Sequence, residues 1–149
     1  MRRRGQPAEA LPAFFLDRSL GRHVVAAALR AEGFAVQTLA ERYPETEELI
    51  EDEIWIREVT ADGFVILMKD DRIRQKPREQ QAILESGARA FVVTNANLTG
   101  GQLGELFVQN RHRIIQRSRH RGPYIYGVYR GRLVKLFPAR TESTLQLSG

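Results

Sequence analysis

Phe64-Val65-Ile66-Leu67-Met68-Lys69-Asp70-Asp71 decides the fold. From Phe64 to Lys69 the side chains are apolar or can carry a polar end out of an apolar setting, and the turn pair Asp62-Gly63 stands directly before them. The run is too short for a helix and shows no polar alternation, which predicts a strand buried on both faces of a parallel sheet. It stops on two carboxylates. Open parallel sheets bind ligands outside the carboxyl ends of their strands, so acids placed there are candidate site residues. Ala13-Phe14-Phe15-Leu16 repeats the pattern and ends on Asp17. Two buried strands that each end in Asp point to a divalent-metal site, because hard cations take oxygen ligands.

Working outward, Ser19 is placed to cap a helix whose Leu20, Val24, Ala27, Ala28 and Ala31 follow the spacing of one buried face, with Gly33 as its left-handed stop. Phe34 to Leu39 reads as a second strand, completing a strand-helix-strand unit. Tyr43-Pro44 breaks the chain before a helix within Glu45 to Ala61, on which Asp52 shares a stripe with Ile56 and Val59 and so faces the sheet. Glu48 lies one turn earlier on that side, while Glu53 faces away, four residues before Arg57. Arg72, Arg74 and Lys76 alternate ahead of Pro77; an extended segment projects them on the side of Asp70. A helix from Pro77 to Glu85 closes at Ser86-Gly87, and Ala90 to Thr94 forms the fourth buried strand, followed by Asn95 and Asn97. Thr99 with Gln102 fits a capping box for a helix carrying Leu103, Leu106 and Phe107, extending toward Ile114 and Ile115. Tyr124 to Arg130 and Leu133 to Phe137 flank Arg130-Gly131-Arg132 as a hairpin or final strand pair. The expected organisation is one α/β domain over residues 13–137 between loose tails at 1–12 and 138–149.

Composition narrows the chemistry. With 149 residues, 42% of them hydrophobic, the chain suits one globular core. It contains no Cys, which excludes disulfides, thiol catalysis and Cys-type structural zinc. No run of 18 apolar residues occurs, and Met1-Arg2-Arg3-Arg4 leads into no apolar signal core, so a cytoplasmic protein without a membrane segment is expected. The net charge of +5 is unevenly spread: Arg111 to Arg140 holds nine Lys and Arg and no acid, whereas Glu41 to Asp62 holds nine acids. A nuclease could use the one for phosphates and the other for metal. Arg-rich surfaces also arise from codon usage alone.

Asp17, Asp52 and Asp70 come from two strand ends and one helix start. Brought together, three carboxylates repel, and a cation relieves the repulsion while lowering the pKa of a bound water. A phosphodiester is the natural substrate, with Arg72, Arg74, Lys76 and Arg78 to grip phosphates. The plainer alternative is that Asp17 and Asp70 only cap the turns that follow them. His23, His112 and His120 lack ligand spacing, and Trp55 reads as packing. Tyr124, Tyr126 and Tyr129 beside Arg130 and Arg132 could stack RNA bases, form a sheet face or bind a partner at a sheet edge.

Phe14-Phe15-Leu16-Asp17 with Leu20 and the Ala-Leu helix, then Asp52-Glu53-Ile54, then Ile66-Leu67-Met68-Lys69-Asp70-Asp71-Arg72-Ile73-Arg74 with Pro77, resemble the compact PIN-like domains, in particular their VapC-type toxin branch. The resemblance covers roughly residues 13–115. It implies a three-layer sandwich with a central, mostly parallel sheet and helices on both faces, here with the C-terminal strand pair added. It also implies a ribonuclease of a type II toxin-antitoxin system, with a Mg²⁺ or Mn²⁺ site of three or four acids, a small antitoxin as partner and room for a homodimer. By position, Asp17 matches the acid after the first strand, Asp52 the acid on the later helix, and Asp70 the acid of a Thr-x-Asp motif. Met68 stands where many such domains carry Thr or Ser. The separate Glu-bearing helix of longer members has no clear counterpart, which leaves Glu48, Glu51, Glu53 and Asp71 open as sources of a fourth ligand. Two other readings remain: a catalytically silent module that binds RNA or antitoxin, and a phosphoacceptor receiver-like domain using Asp17, Asp70, Thr94 and Lys135.

Overall fold

A computed structural model describes residues 11–138, so the expected tails lie almost wholly outside the described residues. Six strands form one sheet in the order β2-β1-β3-β4-β5-β6. They are β1 (Ala13–Leu16), β2 (Ala35–Thr38), β3 (Val65–Lys69), β4 (Arg89–Val93), β5 (Tyr124–Tyr129) and β6 (Arg132–Phe137). The first five run parallel, and β6 returns antiparallel along β5. The Phe64 to Lys69 run therefore supplies a central strand, with Val65 to Met68 fully buried.

Period-two alternation sorts the strand side chains into two cores. Phe14, Leu16, Val65, Leu67, Phe91 and Val93 face α1 (Val24–Ala31), α5 (Gly100–Gln109) and α6 (Arg111–Ser118). Phe15, Ile66, Met68, Ala90 and Val92 face α3 (Asp52–Ala61) and α4 (Pro77–Ser86). A short α2 (Leu39–Arg42) follows β2, held by a capping box between Thr38 and Glu41. The three-layer architecture is the expected one, and so is the capping box of Thr99 and Gln102 that opens α5.

Three local expectations change. Asp17, not Ser19, caps the first turn after β1, and that turn is a 3-10 turn at Arg18–Leu20. It ends at Gly21 with φ +75°, which resets the helical phase. The buried face of α1 is consequently Val25, Ala26 and Leu29, while Val24 is 59% exposed. The second change concerns Glu48: the helix expected within Glu45 to Ala61 is present and starts at Asp52, so Glu48 lies in a run of turns before it rather than one helical turn earlier on its face. Thirdly, the segment after Asp70 is not extended: it winds into a 3-10 turn at Ile73–Gln75 with Ile73 buried, so Arg72, Arg74 and Lys76 do not share a side.

Strand order places the site. The chain leaves β1 for α1 on one face and leaves β3 for α4 on the other, so the crevice between β1 and β3 is where the winding reverses. Ligands of open α/β sheets bind at that reversal. Asp17 and Asp70 follow directly on these two strands, their N–H groups donating to Leu67 O and Val93 O.

Candidate active site

Each strand-end aspartate folds the chain back on itself with one carboxylate oxygen. Asp17 Oδ1 accepts from the Ser19 N–H at 3.0 Å and from the Ser19 hydroxyl, and Ser19 Oγ in turn accepts from the Lys69 N–H at 2.9 Å. One serine thus ties the end of β1 to the end of β3. Asp70 Oδ1 accepts from the Arg72 N–H at 2.8 Å. Short polar side chains favour such turns, so the plain capping role of both aspartates is real. It leaves Oδ2 of each pointed elsewhere.

Asp52 is the first residue of α3, and its Oδ1 accepts from the Trp55 indole N–H at 2.9 Å. Trp55 is fully buried among Phe15 and its neighbours, so it packs, as expected, and also orients Asp52. Arg18 donates to Asp52 at 3.4 Å and to the backbone carbonyls of Glu47 and Ile50, pinning the turn segment over the site.

The fourth acid sharing this space is Glu79, in the first turn of α4. None of the four residues left open by sequence occupies that position. Glu53 is half-buried in the wall of the adjoining cavity and pairs with Arg78 rather than Arg57; Glu48, Glu51 and Asp71 are exposed. Glu79 was missed because an acid two residues beyond an N-terminal proline reads as a helix-dipole partner. Its signal lay in its place immediately after the turn that Asp70 starts.

The electrostatics join the four. Burial pushes the Asp17 carboxyl up to about 7, against the Ser19 hydrogen bonds that favour its charged form, and the neighbouring Asp52 adds to the rise. Burial likewise raises Glu79 to about 7, with Asp52, Asp70 and Asp17 adding repulsion and Lys76 opposing it. Lys76 Nζ lies 2.9 Å from Asp70 Oδ2 and 3.7 Å from Glu79 Oε1, and these contacts raise its own pKa. A cavity of about 630 Å³ opens beside the group, walled by Arg18, Asp52, Lys76, Arg78 and Glu79 together with the Glu48 to Glu51 turn. Of the predicted phosphate-gripping residues, Lys76 and Arg78 reach this cavity; Arg72 and Arg74 are exposed and make no ion pair among the described residues.

An all-carboxylate donor set, with Asp17 and Glu79 held above their ordinary pKa values by burial, suits a hard divalent cation. The side chains are not closed around one: among the described residues, no three His, Asp or Glu stand close enough to hold an ion between them. Positive charge comes instead from the Lys76 ammonium and Arg18. The donor chemistry fits such an ion, and in this structure the Lys76 ammonium supplies the positive charge beside Asp70.

Other candidates resolve differently. Tyr124 is buried with its hydroxyl on Arg117 O and His120 O, Tyr126 packs against Phe91, and Tyr129 meets Thr94 at 3.3 Å. They are committed to the sheet rather than presented for base stacking. Lys135 lies on the outermost strand opposite Tyr126, well down from the strand ends, which removes the geometry of a receiver site. No described helix is long and apolar enough to cross a membrane.

Residues 12–95, more than half of the chain, match the family described as "PIN like domain". The chain is 33% identical over 123 residues to "Putative ribonuclease VapC45" of Mycobacterium tuberculosis, an alignment covering 82% of this chain and 89% of that protein. No solved structure gives a significant match. With buried strands ending on Asp17 and Asp70, a mostly parallel sheet between two helical layers, and these two matches, the chain belongs to the PIN-like domain family, in its VapC-type branch.

Proposed function

We propose that the protein is a metal-dependent endoribonuclease, the toxin of a type II toxin-antitoxin pair, which hydrolyses RNA phosphodiesters in the cytoplasm. One observation carries the reading: Asp17, Asp52, Asp70 and Glu79 share one electrostatic field at the β1/β3 crevice, beside a cavity walled by Arg18, Lys76 and Arg78. Mg²⁺ or Mn²⁺ held there would activate a water and offset charge developing on the phosphoryl oxygens.

The chain's own contribution is preorganisation. Each aspartate has Oδ1 anchored, by Ser19, Trp55 or Arg72, and this fixes where Oδ2 can point. Oδ2 of Asp17 and of Asp52 accepts no hydrogen bond from the described residues, and Oδ2 of Asp70 is held only by Lys76. Asp17, Asp52 and Asp70 are the proposed ligands, with Glu79 the fourth. Lys76, released from Asp70, stands in the cavity wall where a phosphate would enter, with Arg78 beside it. Ser19 compensates for the hydroxyl that Met68 lacks, since Met68 is wholly buried in the α3/α4 core while Ser19 Oγ bridges the two strand ends. The proposed partner is a small antitoxin lying over the cavity, whose wall presents Leu49 at 82% exposure.

The test is cleavage of labelled RNA in EDTA and after addition of Mg²⁺ or Mn²⁺. Cleavage should require the metal and should fall about tenfold or more in Asp52→Asn, whose charge is already shared with Arg18. Equal cleavage in EDTA would remove the mechanism. RNA binding without cleavage under any metal would leave the silent module.

A further inference from the structure

The basic C-terminal segment is not absorbed by the site just described. Among the described residues, only Arg111 of its cations finds an acid, pairing with Glu32 at 2.9 Å. Arg113, Arg117, Arg119, Arg121, Arg130, Arg132 and Lys135 make no ion pair among the described residues, and no acid occurs between Glu105 and Glu142. Two guanidinium groups are nevertheless held in place. Arg117 lies over the Tyr126 ring at 5.2 Å and Arg132 over the Tyr129 ring at 5.4 Å. Stacking fixes a guanidinium while leaving its N–H fork unspent, the arrangement suited to phosphate oxygens. Between α6 and β6, Arg117, Tyr126 and Arg132 line a groove of about 380 Å³ with Arg113, His120 and Leu133.

Register relates this groove to the carboxylates. Lys69 pairs with Val93, Val92 with Gly127, and Tyr129 with Arg132. Asp70, Thr94, Tyr129 and Arg132 therefore stand at one level across the sheet, three strand spacings or about 14 Å from end to end. Asn110, just before α6, donates to Tyr129 O, and Arg89 at the start of β4 donates to Ser118 O at the far end of α6. The groove thus starts at the carboxyl end of the sheet and descends its β5–β6 edge.

We propose that this groove is a second RNA-binding surface, which takes the phosphates of the strand flanking the cleaved bond at a distance of a few nucleotides. The proposal rests on the ribonuclease reading above for its substrate. RNA is favoured over an acidic protein because protein interfaces need an apolar centre. The exposed large apolar residues of the described chain are Leu11, Val24, Leu49 and Ile54, none of them on this segment. The segment also lies beyond residues 12–95, which the family match covers.

The experiment uses the full chain in EDTA, with a labelled single-stranded RNA of about twenty nucleotides and fluorescence anisotropy over a range of salt. The triple variant Arg113→Gln/Arg117→Gln/Arg132→Gln should flatten the slope of log affinity against log salt by about two, at about 0.7 per phosphate lost. The Arg→Lys triple should keep most of the slope. Arg113→Gln alone changes one exposed side chain of the groove and should flatten it by about 0.7, which guards against a folding defect. With Mg²⁺ or Mn²⁺, KM for the long RNA should rise several-fold while cleavage of a dinucleotide stays unchanged. An unaltered salt slope in both Gln variants overturns the proposal. So does loss of polyglutamate binding with RNA binding intact, which would assign the groove to an acidic protein. If wild type binds RNA with the predicted slope but cleaves none, the groove stands and the ribonuclease reading fails; if it cleaves and the slope is unaltered, the reverse holds.

Discussion

Asp70→Asn and Asp17→Asn are each expected to lower RNA cleavage by about a hundredfold or more, while leaving the fold intact. Both substitutions keep Oδ1, so the hydrogen bonds from Arg72 and Ser19 that shape the turns after β3 and β1 survive. What disappears is one negative charge at the cation site. Removing a single preorganised electrostatic group from a water-poor site costs about 10²–10³ in rate. Because the acids act as a unit, the double variant should lose little more than either single one. Steady-state cleavage of a labelled RNA in Mg²⁺ or Mn²⁺ measures this; wild-type rates in either variant would contradict the roles assigned to them.

Metal-free protein should become less stable as pH rises from about 4 to about 7, and added Mg²⁺ or Mn²⁺ should reverse the loss at the upper end. Asp17 and Glu79 are each raised from ordinary carboxyl values, 3.8 and 4.5, to about 7 by burial and by neighbouring carboxylates. Between those limits the folded state binds more protons than the unfolded one. The slope of unfolding free energy with pH is then negative: stability is full below the unfolded pKa values and declines until the folded ones are passed. Over that window the decline is on the order of a few kcal/mol. A divalent ion holds both groups ionised and removes the penalty, adding its own binding energy to the folded state. Asp17→Asn should flatten the metal-free curve and raise the melting temperature at pH 7.5, even as it lowers cleavage. Thermal melts from pH 4 to 8, with and without Mn²⁺, read this directly. A metal-free stability that rises with pH would refute the electrostatic description of the site.

The strands were legible because burial on both faces leaves a plain mark: Val65 to Met68 and Phe14 to Leu16 have no polar position, and both end on an acid. The helix stops at Gly33 and Gly87 and the capping box at Thr99 were equally readable, since each depends on a few adjacent residues. The failures share one cause. Residue spacing loses its meaning where the chain changes its period. A helical stripe counted from Leu20 crosses the Gly21 turn and arrives out of phase on α1. Alternation counted from Asp70 assumes an extended chain, but the Asp70 carboxylate itself captures the Arg72 N–H and starts a 3-10 turn. That turn separates Lys76 from Arg72 and Arg74, and it is also what delivers Glu79 to the cluster. The strand order alone would suit a receiver-like domain as well; the position of Lys135 and the family match separate the two.

The most direct measurement is anomalous diffraction from crystals of the protein soaked in Mn²⁺. A metal bound by this cluster predicts an anomalous peak at the β1/β3 crevice, about 2.0–2.3 Å from carboxylate oxygens of Asp17, Asp52 and Asp70, with the Lys76 ammonium moved off Asp70. A peak elsewhere, or an unchanged Lys76–Asp70 ion pair at saturating Mn²⁺, would contradict it.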